Sequence, residues 1–379
     1  MEVHTMKKKR IIKLCCFGLV FILLLGVISR FLQVNSLADA VRVKGFYMEP
    51  ENSLDMVTIG ASETYTSIAP GILWKEYGFT SYNYSIAGCP VSMVKSQVRE
   101  VLAHQKPKVL VIEVNGAVPE NGAYQTQDKR LRKYIDNMPW SENKIETIKE
   151  VVPEEEQESY FFPFLKYHSN WKNLQICGAN LYLQAKMILN GGSRLKGFQT
   201  VSQKAEIKKE LVDITNDHLT APLAKEAEYY LRDLLQYLKD EKIDNVIFVR
   251  IPHRVTEKTY GDYQRSNRAG EIVKEYGFPY VNFELEKEAI KLDMAEDFYN
   301  DSHMNLYGQE KFTRYLGEYL VKHYELKNCA HSEEITKAWN EAAEETNACI
   351  IFGKTLLEEG KRRTLNEGWR ETKKYNLEY

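Results

Sequence analysis

The stretch DMVTIGASETY, running from Asp55 to Tyr65, decides the fold of this chain. Met56–Gly60 is a short apolar run that stops at a turn residue, and a helix opens almost at once behind Ser62, so the run reads as a buried strand feeding a helix. Four further runs end the same way in turn or polar residues: Tyr82–Ile86, Val109–Val114, Val246–Ile251 and Tyr280–Phe283. Helical-looking segments, Ile72–Tyr77 and Ser92–His104, lie between the first three. The order is therefore βαβα. Strands that are apolar throughout are buried on both faces, which predicts an α/β domain with a parallel sheet covered by helices on each side. In such open sheets ligands bind beyond the carboxyl ends of the strands, so the residues just after each run are the first candidates for chemistry.

Ser62 stands two residues past Gly60 at that edge. A serine at a strand-to-helix turn exposes its hydroxyl where the helix N-terminus offers backbone N–H groups to a developing oxyanion, although the same residue reads equally as a helix N-cap. The second strand leads through NYSIAGCP to Gly88, and the third through LVIEVNGA to Asn115. A glycine amide and an asparagine side-chain amide are donors of the type an oxyanion hole needs, and taken singly each is also an ordinary turn residue. Near the end comes DFYNDSHMNLYGQEKFTRYL, in which His303 precedes a helix. A catalytic histidine requires a neighbour to fix its tautomer, and Asp301, Asn300 and Asp297 are the local candidates. FVRIPHR brings Arg250, His253 and Arg254 to the end of the fourth strand, His253 as a rival base or, with the two arginines, as a substrate contact.

In chain order, Ser62, Gly88, Asn115 and His303 fall at the ends of successive sheet elements, and here the chain resembles the SGNH/GDSL hydrolase superfamily over about residues 52–326. HMNLYGQEKFT, with Asn305 and Gly308 after His303, is the most specific part of the likeness, and the first block is GAS rather than GDS. It looks closest to the membrane-anchored branch that includes the D-alanine transfer protein of teichoic acid synthesis and the alginate O-acetyltransferase accessory proteins. The resemblance implies a three-layer, flavodoxin-like parallel sheet with Ser62 as nucleophile and first backbone oxyanion donor, Gly88 and Asn115 as the other donors, and His303 as base. The family's acid stands three residues before the histidine, a position held here by Asn300, with Asp301 one residue later. Asp301 is therefore expected to partner His303 if the Asn300–Ser302 segment turns, and a Ser–His dyad assisted by a backbone carbonyl is the alternative.

The implied activity is that of a serine esterase or O-acyltransferase working outside the cytoplasm on a cell-envelope polysaccharide or a teichoic acid-like polymer, with a membrane-bound O-acyltransferase as partner and no cofactor. The alternatives are a carbohydrate or lipid esterase, or a catalytically silent envelope scaffold.

The flanks fit that setting. Lys7-Lys8-Lys9-Arg10 precedes LCCFGLVFILLLGVIS, Leu14 to Ser29, which with Ile11 and Ile12 approaches the roughly 17–25 residues that cross a bilayer. Residues 1–33 read as a basic cytoplasmic flank and signal anchor, 34–51 as a linker, 52–326 as the α/β domain with a cap insertion over about 117–242, and 327–379 as an accessory helical tail. The positive-inside rule then puts the bulk of the chain outside the cell membrane as a single-pass protein. Inside the cap lie a basic cluster, Lys129, Arg130, Arg132 and Lys133, and the aromatic stretch YFFPFLKYHSNW, read as a solvated face and ordinary packing respectively. A formal net charge of -2 excludes a nucleic-acid footprint built on excess positive charge. No cysteine or histidine cluster has zinc-site spacing, so no metal is expected, and Cys89, Cys177, Cys329 and Cys349 leave three disulfide pairings open.

Overall fold

The computed structural model describes residues 2–206 and 210–370, with side chains from residue 9 onward; residues 371–379, the end of the stretch read as a tail, lie outside them. Five strands form one parallel sheet: β1 (Met56–Ile59), β2 (Ser81–Asn83), β3 (Val109–Glu113), β4 (Val246–Arg250) and β5 (Tyr280–Asn282), in the order β2-β1-β3-β4-β5. Each of the five expected runs holds a strand, the second only at Tyr82–Asn83. Met56 pairs with Ser81 on one side and Val109 on the other, and Leu110 pairs with Val246.

Alternation along these strands divides their side chains between two cores. Val57, Ile59, Leu110, Ile112, Val246 and Phe248 face one. Met56, Val109, Val111, Ile247 and Val249 face the other. Helices Val94–His104, Lys225–Asp240 and Tyr260–Glu275 close the first, the second of them burying Leu231, Leu234, Leu235 and Leu238, each stabilising the fold by about 1.5–3 kcal/mol at most. Helices Pro70–Tyr77 and Leu306–His323 close the second through Leu73, Phe312, Leu316 and Leu320. The strand order reverses direction between β1 and β3, the point at which such sheets leave a crevice at their carboxyl edge.

Helix Glu2–Leu32 carries the apolar segment, and its part Lys9–Leu32, 24 residues with none of its most apolar stretch buried, is long and apolar enough to cross a membrane. Beyond it the stretch read as a linker is a helix, Leu37–Phe46, with Asp39, Arg42, Val43 and Phe46 buried. Within the cap region, helix Lys225–Asp240 belongs to the first core rather than to a cap.

The residues after Tyr324 also form part of the packed body. Helix Glu333–Glu358 buries Trp339 and Cys349, Gly71 gives it room to approach, and Thr364–Leu365 pairs antiparallel with Thr200–Val201. All six cysteines are free thiols.

Candidate active site

β1 leads into Gly60, whose φ of 158° and tight surroundings leave no room for a side chain: a Cβ there would lie 2.8 Å from Cβ of Glu113 and 2.9 Å from Thr64. This close crossing of β1 and β3 places Ser62 at the first turn of a short helix, Ser62–Tyr65, on the carboxyl edge of the sheet. His303 arrives from the other end of the chain, just before helix Leu306–His323, whose N-cap Asn305 accepts a hydrogen bond from Tyr307 N–H. The imidazole Nε2 lies 2.8 Å from Ser62 Oγ, across 241 residues of sequence.

Nδ1 of the same ring lies 2.9 Å from Asn300 Oδ1, which also accepts the Ser302 N–H at 2.9 Å. That second bond identifies the Asn300 atom as the oxygen, which only accepts, so Nδ1 carries the proton and Nε2 is the lone pair that accepts from the Ser62 hydroxyl. Tyr299 stacks on the ring at 5.3 Å between centroids. The structure does not bring Asp301 to the ring. Its carboxylate lies 3.3 Å from Arg254 and its carbonyl accepts Arg254 N–H at 2.8 Å. The turn at Asn300–Ser302 does form, but it turns Asn300 inward and leaves Asp301 to the arginine.

Asn115 follows β3 and its backbone N–H is fixed by Glu113 at 2.8 Å. Its Nδ2 donates to Glu63 Oε1 at 2.5 Å and its Oδ1 accepts from Arg250, so the amide is held from both ends; one Nδ2 hydrogen is left over from the Glu63 bond. Ser62 Oγ lies 3.4 Å from the other oxygen of Glu63, so Glu63 joins the Ser62 and Asn115 side chains. Gly88 has φ 63°, in the region that favours glycine, and a Cβ there would meet the Arg130 guanidinium at 2.0 Å. Its carbonyl accepts from Arg130 at 3.3 Å, and the hydroxyls of Thr64 and Ser85, 2.5 Å apart, tie its loop to the Ser62 turn.

Arg250, His253 and Arg254 are not on an open surface. All three are buried. His253 Nδ1 lies 2.6 Å from Ile251 O and 2.9 Å from Glu284, and its Nε2 faces Glu63 at 3.6 Å; Arg250 pairs with Glu284 at 3.1 Å. Three carboxylates thus share one buried network, and their charges are divided by what each faces. Burial alone would raise the Glu63 pKa, but the bond to His253 and the nearby His303 and His253 outweigh it and hold the carboxyl down at about 2. Glu284 is likewise held at about 2 against burial by Arg250 and His253. Glu113, pressed by burial and by the charge of Glu63, is pushed up to about 8. For His253, burial and Arg250 push toward the neutral ring, but Glu284 and Glu63 prevail and raise its pKa. His303 titrates below its ordinary value, first because it is enclosed and also because of His253, with Glu63 opposing.

Glu63, Glu113 and Glu284 are the site residues that sequence reasoning missed. Two carried a signal: Glu113 interrupts the apolar run VLVIEV, and Glu63 directly follows the candidate nucleophile. The basic cluster is a solvated face only at Lys129. Arg132 is buried between Asp128 and Asp136, Arg130 stacks on Tyr124 at 3.9 Å, and Lys133 donates to Ala87 O at 3.0 Å.

A serine hydroxyl, an imidazole and a group that fixes the imidazole's tautomer therefore stand in line at the sheet edge, the arrangement that activation of a serine would require. The chain matches no protein-family model and no curated protein.

Proposed function

We propose that this chain is a membrane-anchored serine esterase or O-acyltransferase of the SGNH type, acting outside the cytoplasm on an ester of a cell-envelope polymer, with a membrane-bound O-acyltransferase as its partner. The observation that carries the reading is the Ser62 Oγ to His303 Nε2 contact at 2.8 Å, with the ring's other nitrogen bonded to Asn300. The sheet order and the two cores support the three-layer, flavodoxin-like reading.

In this mechanism Ser62 Oγ attacks the carbonyl carbon of an ester or thioester while His303 Nε2 takes the hydroxyl proton. Collapse of the tetrahedral adduct breaks the bond to the leaving group, which receives that proton, and leaves the acyl group on Ser62. A hydroxyl of the polymer or water then takes it in the reverse sequence. Asn115, the Gly88 loop and the Ser62 turn are the donors offered to the oxyanion. Asn300 is neutral and fixes the tautomer only. The negative charge that favours the imidazolium comes from Glu63, ionised at any ordinary pH and joined to the pair through Ser62.

A second reading, a catalytically silent envelope scaffold, is favoured by one feature: one of the two Asn115 Nδ2 hydrogens is already engaged by a carboxylate. A fluorophosphonate probe separates the two. Labelling of the full-length protein at Ser62, abolished by Ser62→Ala and by His303→Ala, is the expected result; an unlabelled wild-type protein would leave the scaffold.

A further inference from the structure

The end of the apolar helix is bonded to the body of the protein. Arg30 and Gln33, at the end of helix Glu2–Leu32, donate to Asp136 O, and Asn170 Nδ2 donates to Leu32 O and Val34 O at 2.8 and 3.0 Å. Leu32 also packs among Tyr167, Cys177 and Leu183. The anchor is thus joined to the helices between residues 128 and 189 by side-chain packing as well as by the chain.

Beside it runs an apolar cleft of about 960 Å³, lined on one side by Ile22, Leu25 and Gly26 of the anchor and on the other by Trp140 and Phe161–Leu165. Ile22 lies ten residues before Leu32, or about 15 Å down the helix axis. The 24 residues of Lys9–Leu32 span about 36 Å against a hydrocarbon core of about 30 Å, so Ile22 lies well inside the core whichever end takes the excess. Phe162 and Leu165, more than half exposed, stand beside that depth.

The neighbouring helix Leu174–Leu189 points the same way. Its face with Cys177, Leu183 and Met187 is buried, while Leu174, Leu181 and Ile188, spaced by seven residues and so on one stripe, are exposed at 58%, 51% and 68%. A helix apolar on both faces is one whose second face is covered by something apolar. Trp140 and Trp171, each 61% exposed, are the residue type that settles where hydrocarbon meets headgroups.

We propose that the occupant of this cleft and stripe is the lipid bilayer itself. Phe162, Leu165 and the Leu174–Ile188 stripe lie in the acyl region of the leaflet on the side of the α/β domain, with the two tryptophans at its boundary. The proposal rests on the reading of Lys9–Leu32 as a membrane-spanning helix and goes beyond it: an anchor alone would leave the body tethered in water, whereas this surface seats it on the membrane.

The test uses the full-length protein reconstituted in vesicles of phosphatidylcholine, with and without a dibrominated acyl chain that quenches tryptophan on contact. Trp140→Phe and Trp171→Phe, both exposed and conservative, assign the signal against Trp74, Trp339 and Trp369. Brominated lipid is expected to remove most of the emission that the double variant lacks, and to leave the double variant's own emission unchanged. Resistance to carbonate extraction checks the spanning helix independently. An extracted protein fails the anchor and the proposal with it; a protein that resists extraction but is not quenched, whether water or a second copy covers the surface, overturns the proposal and leaves the anchor standing.

Discussion

Glu63→Gln isolates the source of the negative charge at the site. Ser62 Oγ lies 2.8 Å from His303 Nε2 and 3.4 Å from Glu63 Oε2, so the carboxylate is within about 6 Å of the ring. Two unit charges at that distance interact by about 3 kcal/mol at an effective dielectric of about 20, and because Ser62 and His303 are only half buried, about 1–3 kcal/mol is the range to expect. Glutamine keeps the shape, since its carbonyl still accepts from Asn115 Nδ2. The charge is lost, and an amide N–H replaces the oxygen that faces Ser62.

Two consequences follow with defined signs. His303 accepts a proton from Ser62 only when neutral, and Glu63 favours its protonated form. Without that anion the ring stays neutral to lower pH, so the acidic limb of kcat/KM moves down by about 1–2 pH units. On the alkaline plateau the imidazolium formed in the transition state is less stabilised, and the rate falls by about 10- to 100-fold. Glu63 itself does not confuse the reading: its stabilising contribution is present above its unfolded pKa and is lost only as pH falls toward about 2. The assay is hydrolysis of an activated aryl acetate by the full-length protein across the acid and neutral range. A limb that stays in place or moves up, or a plateau unchanged in height, refutes the assignment of Glu63.

Asn300→Ala should cost on the order of 10²-fold in the same assay by freeing the His303 tautomer, whereas Asp301→Ala should leave turnover within a few-fold and lower the melting temperature by uncovering Arg254; the opposite pattern would return the role to Asp301. Glu113→Gln should stabilise the protein at alkaline pH, because the native carboxyl ionises only near pH 8 while the unfolded one ionises in the ordinary carboxylate range, so wild-type stability falls as pH rises between the two; equal melting curves at acid and alkaline pH would contradict this. Gly71→Ala should destabilise by about 1–3 kcal/mol, since its Cβ would lie 2.7 Å from Cβ of Thr346 on helix Glu333–Glu358. Chemical denaturation unaffected by that substitution would mean that the C-terminal helix is not part of the cooperative unit.

The sheet was legible because buried parallel strands write themselves as short apolar runs, and each of the five runs holds a strand. Ser62 and His303 were legible because each stands just past a regular element at one edge. Their partners were harder to read, since which of Asn300 and Asp301 turns inward depends on Arg254, a buried cation that recruits the acid from the far side of the sheet edge. The carboxylate network was hidden for a related reason: a buried charge is held by groups distant in sequence, and Glu63, Glu113, Arg250, His253 and Glu284 come from four strand ends.

The segment between anchor and domain carried a signal that composition obscured. Ser36-Leu-Ala-Asp39 has the spacing of a capping box, and Ser36 does cap helix Leu37–Phe46 by accepting Asp39 N–H at 3.3 Å. Once that helix forms, its two buried charges have work outside it. Asp39 accepts Ala87 N–H at 2.9 Å, and Arg42 donates to Ser85 O at 3.3 Å, pairs with Asp39 and lies 3.6 Å over the Tyr65 ring. Ser85–Ala87 leads directly to Gly88, and Tyr65 closes the helix that begins with Ser62. Only residues 33–36 separate the anchor from this clamp. A flexible linker would leave the sheet edge free to turn relative to helix Glu2–Leu32; a buried helix bonded to the Ser85–Gly88 loop and packed on the Ser62–Tyr65 turn restricts that freedom, so the segment just after the apolar helix also holds two loops of the candidate site.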